Sequence, residues 1–415
     1  MHCNQNSKHD KKYSACSSDI ESETLNDYFG CNEIPKTLVC REQPKCHKQK
    51  DPCPLKSFCD PGLMNTCNRT PCVDLSQPKR AITTWKVNYL VSNTPGEASH
   101  LDPDLIQPRG IVIYNNQLWV TNTMSDKITN YDLFGNKILG SIQVRWNRPV
   151  SSFPVGLAMN CSSGFSFTGS NGIQSRSATL MTATKTGDVA AYNPAVDSLR
   201  SYIVLNNKLA GEIAEYTGLA IVNNALYLAD FYQGHVDAFD SQYLRIGVRN
   251  RRFIDNYSID PIPITFGPHN IVYIEPYLYV MYAERDQNTI VHHVVGPGRG
   301  YISVFTLDGA FVRRFYSRGV LNTPWSIIPA PNECGIPPGS FLVNNIGDGR
   351  INIFDNCGNF IGPMLSQAGI PIVIDGLESL APYYTTFNEI FFSSSADIET
   401  RGLLGSIVKD QVIYI

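Results

Sequence analysis

The sequence predicts an all-β fold: a six-bladed β-propeller of the NHL/lactonase-like kind, closed by an N-terminal strand and preceded by a small, irregular, cysteine-rich head. Three observations lead there. A short phrase recurs six times after residue 85, and the stretches between its copies alternate apolar and polar residues in short runs. Nine of the twelve cysteines fall in the first 72 residues. The first two observations make residues 81–415 one closed ring; the third sets residues 1–80 apart as a head.

The phrase is a Pro or a substitute, any residue, a small residue, then aliphatics. It reads Pro108-Arg109-Gly110-Ile111-Val112, Pro154-Val155-Gly156-Leu157-Ala158 and Tyr216-Thr217-Gly218-Leu219-Ala220. It returns as Pro268-His269-Asn270-Ile271-Val272, Pro324-Trp325-Ser326-Ile327-Ile328 and Leu377-Glu378-Ser379-Leu380-Ala381. The small positions lie 46 to 62 residues apart, the spacing that a four-stranded blade requires. Each copy supplies an innermost strand. A second strand follows a short turn, as in Leu118-Trp119-Val120-Thr121 and Leu226-Tyr227-Leu228-Ala229.

A third strand has the form Gly-x-hydrophobic-x-x-aromatic-Asp, clearest at 234–240 and 349–355, and Phe311-Val312-Arg313-Arg314-Phe315 reads as an outer strand. Period-2 alternation buries one strand face against the neighbouring sheet. A closed ring leaves no free sheet edge, so the last blade needs a strand from elsewhere. Trp85-Lys86-Val87-Asn88-Tyr89-Leu90-Val91, ahead of the first copy, is that strand.

Composition excludes several classes of protein. Charge is nearly balanced, 34 Lys+Arg against 37 Asp+Glu, so there is no basic excess with which to bind nucleic acid. Apolar residues, at 43%, suffice for a core, and charged residues, at 17%, are too few for a disordered chain. No apolar run reaches the roughly 18 residues of a membrane span, and the N-terminus lacks the apolar core of a secretory signal.

The head carries Cys3, Cys16, Cys31, Cys40, Cys46, Cys53, Cys59, Cys67 and Cys72 among few aliphatic residues. Such a segment builds little hydrophobic core and is ordered by cross-links or by a partner. Three states compete. A zinc site wants paired ligands at short fixed spacing, and no Cys-x2-Cys pair occurs. A disulfide framework suits the irregular spacing better, and a reduced flexible tail is the third state. Nine is odd, which leaves one thiol free or joined to another chain. Asn68-Arg69-Thr70 is an N-glycosylation sequon if the head meets glycosylating machinery. In the propeller, Cys161 and Cys334 follow first strands and Cys357 a third strand, all toward one face. Cys334 and Cys357 share a blade, which makes them a candidate bridge.

Collinear stretches also carry a resemblance. Leu90-Val91-Ser92-Asn93-Thr94-Pro95-Gly96, His100-Leu101-Asp102-Pro103-Asp104-Leu105-Ile106, Leu321-Asn322-Thr323-Pro324-Trp325, Gly347-Asp348-Gly349-Arg350-Ile351-Asn352 and Pro371-Ile372-Val373-Ile374-Asp375-Gly376-Leu377 resemble a family of uncharacterised six-bladed propellers found in exported bacterial proteins. The resemblance covers about residues 88–408. It implies the fold and an extracytoplasmic setting, and brings no reaction with it. The head, outside that span, is similar in composition to the N-terminal segments of giant-virus surface-fibril proteins.

In a propeller the innermost strands line the channel, so Arg109, Val155, Thr217, His269, Trp325 and Glu378 are expected around one mouth. Asn122, Asp230, Glu284 and Asn345, after second strands, point toward the same mouth. Convergent polar groups in a concave mouth bind small ligands; Arg109, Asn122, Asp230, His269, Trp325, Asn345 and Glu378 are the ligand-binding candidates. The positions are similar to those with which metal-dependent six-bladed hydrolases and lactonases hold a divalent cation such as calcium. That hard cation needs several oxygens, and Glu378 alone is acidic at the start of a first strand. A salt bridge from Glu378 to Arg109 across the ring closure is the competing expectation. No catalytic residue and no cofactor beyond that cation is assigned. Gly296-Pro297-Gly298-Arg299-Gly300 lacks the Lys-Ser/Thr of a phosphate loop and reads as a turn, and His292-His293 reads as a solvated loop.

The expected function is therefore structural: a rigid propeller displayed on a virion-surface or extracellular assembly, with the head attaching or cross-linking it. Its partners are other protein chains, as a homo-oligomer or a fibril, with neither nucleic acid nor a membrane span. The alternative is a small-ligand binder, or a metal-dependent hydrolase of lactonase type acting at the channel mouth.

Overall fold

The computed structural model describes residues 81–144, 151–169, 175–206, 213–247, 252–289, 292–331, 334–383, 389–396 and 400–414. The head and its nine cysteines lie outside them. The described residues form six blade sheets around one axis, a six-bladed all-β propeller, with one further two-stranded sheet pairing Ser166–Phe167 with Arg176–Ser177.

Each copy of the phrase opens a blade. The inner strands are Pro108–Tyr114, Pro154–Met159, Tyr216–Val222, Phe266–Ile274, Pro324–Pro329 and Leu377–Tyr383. Second strands return antiparallel through Gln117–Asn122, Leu180–Thr184, Ala225–Asp230, Tyr277–Glu284, Phe341–Asn345 and Glu389–Ala396. Third strands follow, among them His235–Asp240 in blade three, Tyr301–Phe305 in blade four and Arg401–Tyr414 in blade six. Alternating residues of these strands fill the interfaces between blades. One cluster, for example, packs Leu342 and Ile353 of blade five against Leu377, Phe392 and Ile407 of blade six.

The small residue of the phrase has a physical reason. Neighbouring inner strands come closest near the axis, and at the three glycine copies there is no room for a side chain, whereas Asn270, Ser326 and Ser379 use theirs to bond the neighbouring blade. A Cβ on Gly110 would stand 2.5 Å from the Val155 carbonyl oxygen, one on Gly156 3.0 Å from the Gly218 Cα, and one on Gly218 2.8 Å from the Asn270 Cα. Beyond that contact, side chains stitch the blades together. Thr121, Asn344 and Ser393, at matching places in their second strands, donate to the carbonyls of Val155 (2.6 Å), Glu378 (3.0 Å) and Arg109 (2.5 Å) in the next blade.

The ring closes as predicted. Ala81–Ser92 runs antiparallel to Arg401–Tyr414 as the fourth strand of blade six, and the short strand His100–Leu101 pairs on its far side. Trp85 is buried on this strand, and its indole N–H donates 2.9 Å to the Cys334 carbonyl of blade five. Blade three is built differently: its sheet has three strands among the described residues. The segment after it crosses to blade four, where the Phe253 N–H bonds to the Gly309 carbonyl (2.8 Å) and Asp255 pairs with Arg314 (2.8 Å), both side chains buried.

Candidate functional site

The six residues expected around the mouth lie on the six inner strands, and they are buried there. Arg109, Val155, Thr217, His269, Trp325 and Glu378 are each 4% exposed or less. Arg109 Nη1 lies 3.2 Å from Glu378 Oε2, the ion pair across the closure, and Ser395 donates 2.8 Å to the other Glu378 oxygen. Thr217 donates 2.7 Å to the His269 carbonyl, and Asn270 donates 2.9 Å to that of Trp325. His269 sits edge-on to Trp325, with ring centroids 4.6 Å apart, and packs on Phe231 and His293 at 5.1 Å each. Burial, with His293 beside it, holds the His269 imidazole well below its ordinary pKa, so it is neutral. His293, read from sequence as part of a solvated loop, is half-buried against it, while His292 is exposed.

The second-strand candidates serve their own blades. Asn122 donates 2.9 Å to Thr129 Oγ1, Asn345 donates 2.8 Å to the Val320 carbonyl, and Glu284 pairs with Arg299. The structure thus joins Arg109 to Glu378 and His269 to Trp325.

Along the inner strands the channel holds a cavity of about 670 Å³, lined by aliphatic residues such as Ile111, Leu157 and Ile327 and also by Asn270, Trp325 and Ser379. It reaches Cys161, Asn224 and Glu275 near the far ends of the inner strands, and these three are exposed. The space a ligand could enter therefore lies toward the face opposite the expected mouth.

A polar cluster of which sequence reading named only Asp230 lies at the upper end of blade three. Asp230 is fully buried; its Oδ1 accepts the backbone N–H groups of Gln233 (3.0 Å) and Glu215 (3.2 Å). His235 and Asp237, on the adjoining third strand, bring a ring nitrogen and a carboxylate to within 4.8 Å of it. Burial pushes the Asp230 carboxyl up to about 6 and that of Glu215 up to about 7. The signal was present in Gly234-His235-Val236-Asp237, because residues two apart on a strand share a face.

The proposed Cys334–Cys357 bridge is corrected: both thiols are free. Cys334 is buried under Trp85 with its S–H on the Pro331 carbonyl (2.8 Å), whereas Cys357 sits exposed in the turn after the third strand of blade five. A core position and a surface turn of one blade do not face each other.

Comparison with known proteins supplies a lineage. An uncharacterised protein of Acanthamoeba polyphaga mimivirus, L690, is 58% identical over 369 residues, covering 89% of this chain and 98% of its own length. The chain belongs to this family of mimivirus proteins. A second member, R648, is 55% identical over 88% of the chain and 90% of its own length; R640 is 35% identical over 67% of the chain and 51% of its own. The stretch shared with L690 is longer than the propeller, so the likeness reaches back into the head. No family profile matches the chain, and the bacterial resemblance gains no support. Among solved structures, a Bacteroides thetaiotaomicron protein of unknown function aligns with a TM-score of 0.47 at 10% identity, over 80% of this chain and 77% of that one. The Neurospora crassa Pan2 WD40 domain aligns at 0.46 and 11%, over 80% and 97%. These are likenesses of fold, and fold does not carry activity.

Proposed function

We propose that this protein is a structural or interaction propeller of a viral assembly, displayed at a virion surface or outside the cell, with the cysteine-rich head as its attachment or cross-linking module. The observation that carries the reading is how the polar residues around the axis are used. Arg109, Glu378, Thr217 and Asn270 each hold one blade to the next, and the first three are buried and do not line the cavity. A ring stiffened in this way keeps its surface fixed, which suits a scaffold. The exposed segment around Ile259 (77%) and Ile264 (91%) offers apolar contact area outside the channel. Kinship with mimivirus proteins supports a viral setting. The test is native mass spectrometry of the full chain with and without reductant. Oligomers that collapse on reduction are expected; a monomer under both conditions would sink the reading.

The cavity of about 670 Å³ favours a second reading, a small-ligand binder. Under that reading, protein isolated from its native source carries a bound small molecule in the same spectra. Bare protein mass would count against it.

A further inference from the structure

The geometry points to a second kind of site: Asp230, His235 and Asp237 bind one divalent transition cation at the upper end of blade three. The three side chains offer two carboxylate oxygens and one imidazole nitrogen, all within 4.8 Å of one another. They are placed by a tight hairpin. Asp230 and His235 are register partners on either side of a turn closed by the Gly234 N–H on the Asp230 carbonyl (2.9 Å), and Asp237 follows two residues on, on the same strand face.

Two atoms of the cluster point to a ligand. Asp230 is fully buried, and its Oδ2 has no hydrogen-bond partner although Oδ1 has two. A buried carboxylate oxygen left in this way is costly unless something positive meets it. His235 Nε2 lies 3.3 Å from Asp237 Oδ1 yet makes no aligned hydrogen bond, so its lone pair is available to a metal.

The surroundings fit as well. The Tyr216 hydroxyl donates 2.8 Å to Asp237 Oδ2 and fixes that carboxylate, as outer groups commonly do for ligands. Arg245 supplies the positive charge at Asp237 Oδ1. Its side chain is 27% exposed and can withdraw into water as the cation takes its place. One nitrogen with two carboxylates suits manganese or zinc, with water completing the shell, better than calcium, which demands six or more oxygens. This site shares Asp230 with the candidates considered from sequence but not Glu378, and it holds under either reading of function.

The test uses the full chain stripped with chelator, with Mn²⁺ as the probe because the head thiols compete for zinc. Calorimetry and the electron paramagnetic resonance of bound manganese should show one equivalent taken up. Binding should weaken by more than about tenfold in Asp230→Asn, which keeps the side-chain shape, and in His235→Gln. Arg245→Ala should bind more tightly, because its charge competes with the ion. No uptake by the parent, or equal affinity in Asp230→Asn and His235→Gln, overturns the proposal. If Asp230→Asn fails to fold, His235→Gln at its half-buried position decides alone.

Discussion

Blade six and blade three solve one problem by different means. Both have three strands from their own stretch of chain and an outer flank to cover. Blade six takes a fourth strand from the other end of the chain, a backbone ladder twelve residues long. The segment leaving blade three is instead held to blade four by side-chain charge, Asp255 on Arg314, with Ser303 and the Asp260 carbonyl sharing the work. A ladder satisfies backbone groups whatever the side chains are, so it tolerates substitution. A buried ion pair depends on two residues and fails when either is lost. The ring is thus robust at its seam and specific at blade three.

Breaking the seam should have the largest effect. Deleting residues 85–91 opens the ring and exposes the edge of Arg401–Tyr414, and cooperative unfolding should disappear in thermal circular dichroism. A truncation that melts like the parent would make the ladder dispensable. Next comes the charge clasp. Asp255→Ala strands a buried guanidinium and should cost about 3–5 kcal/mol in denaturant unfolding. Pairing it with Arg314→Met should recover much of that loss; full additivity would show that the two do not act as a unit.

A smaller effect separates the two regions by pH. His269 is buried neutral beside blade three, its folded pKa below the unfolded value near 6.5. It contributes stability that is present above that value and lost as pH falls, at up to about 1.4 kcal/mol per pH unit. His269→Gln should flatten the acid limb of the stability curve, and an unchanged slope would place the proton uptake elsewhere. The smallest change is at a stitch between blades. Thr121→Val removes the hydroxyl bonded to the Val155 carbonyl and the Gly110 N–H, and should cost about 1–3 kcal/mol by leaving those groups unsatisfied.

The blades were legible because their signals are local. The phrase around Gly110, Gly156 and Gly218 marks each inner strand, and its small residue is explained by the close approach of the next strand. The closing strand at Trp85 was legible by elimination, since one blade lacked a partner and one apolar stretch lacked a blade. The site was much less so. Arg109, His269 and Glu378 were expected around an open mouth and are buried. That burial follows from how side chains of adjacent blades interlock, which residue spacing does not encode. His235 and Asp237 looked like ordinary members of a strand, because the residue that completes the cluster, Asp230, lies across a turn.

Sequence alone, then, establishes an all-β ring of six units with a separate cysteine-rich segment before it. Alternation and repetition act over a few residues and survive without any knowledge of contacts. Tertiary structure decides which polar groups meet: Arg109 with Glu378 across 269 residues, Asp255 with Arg314 between blades, and Cys334 with the core rather than with Cys357. Those pairings depend on the angle at which blades close and on the paths of the loops between them. The ring must exist before its interior chemistry does.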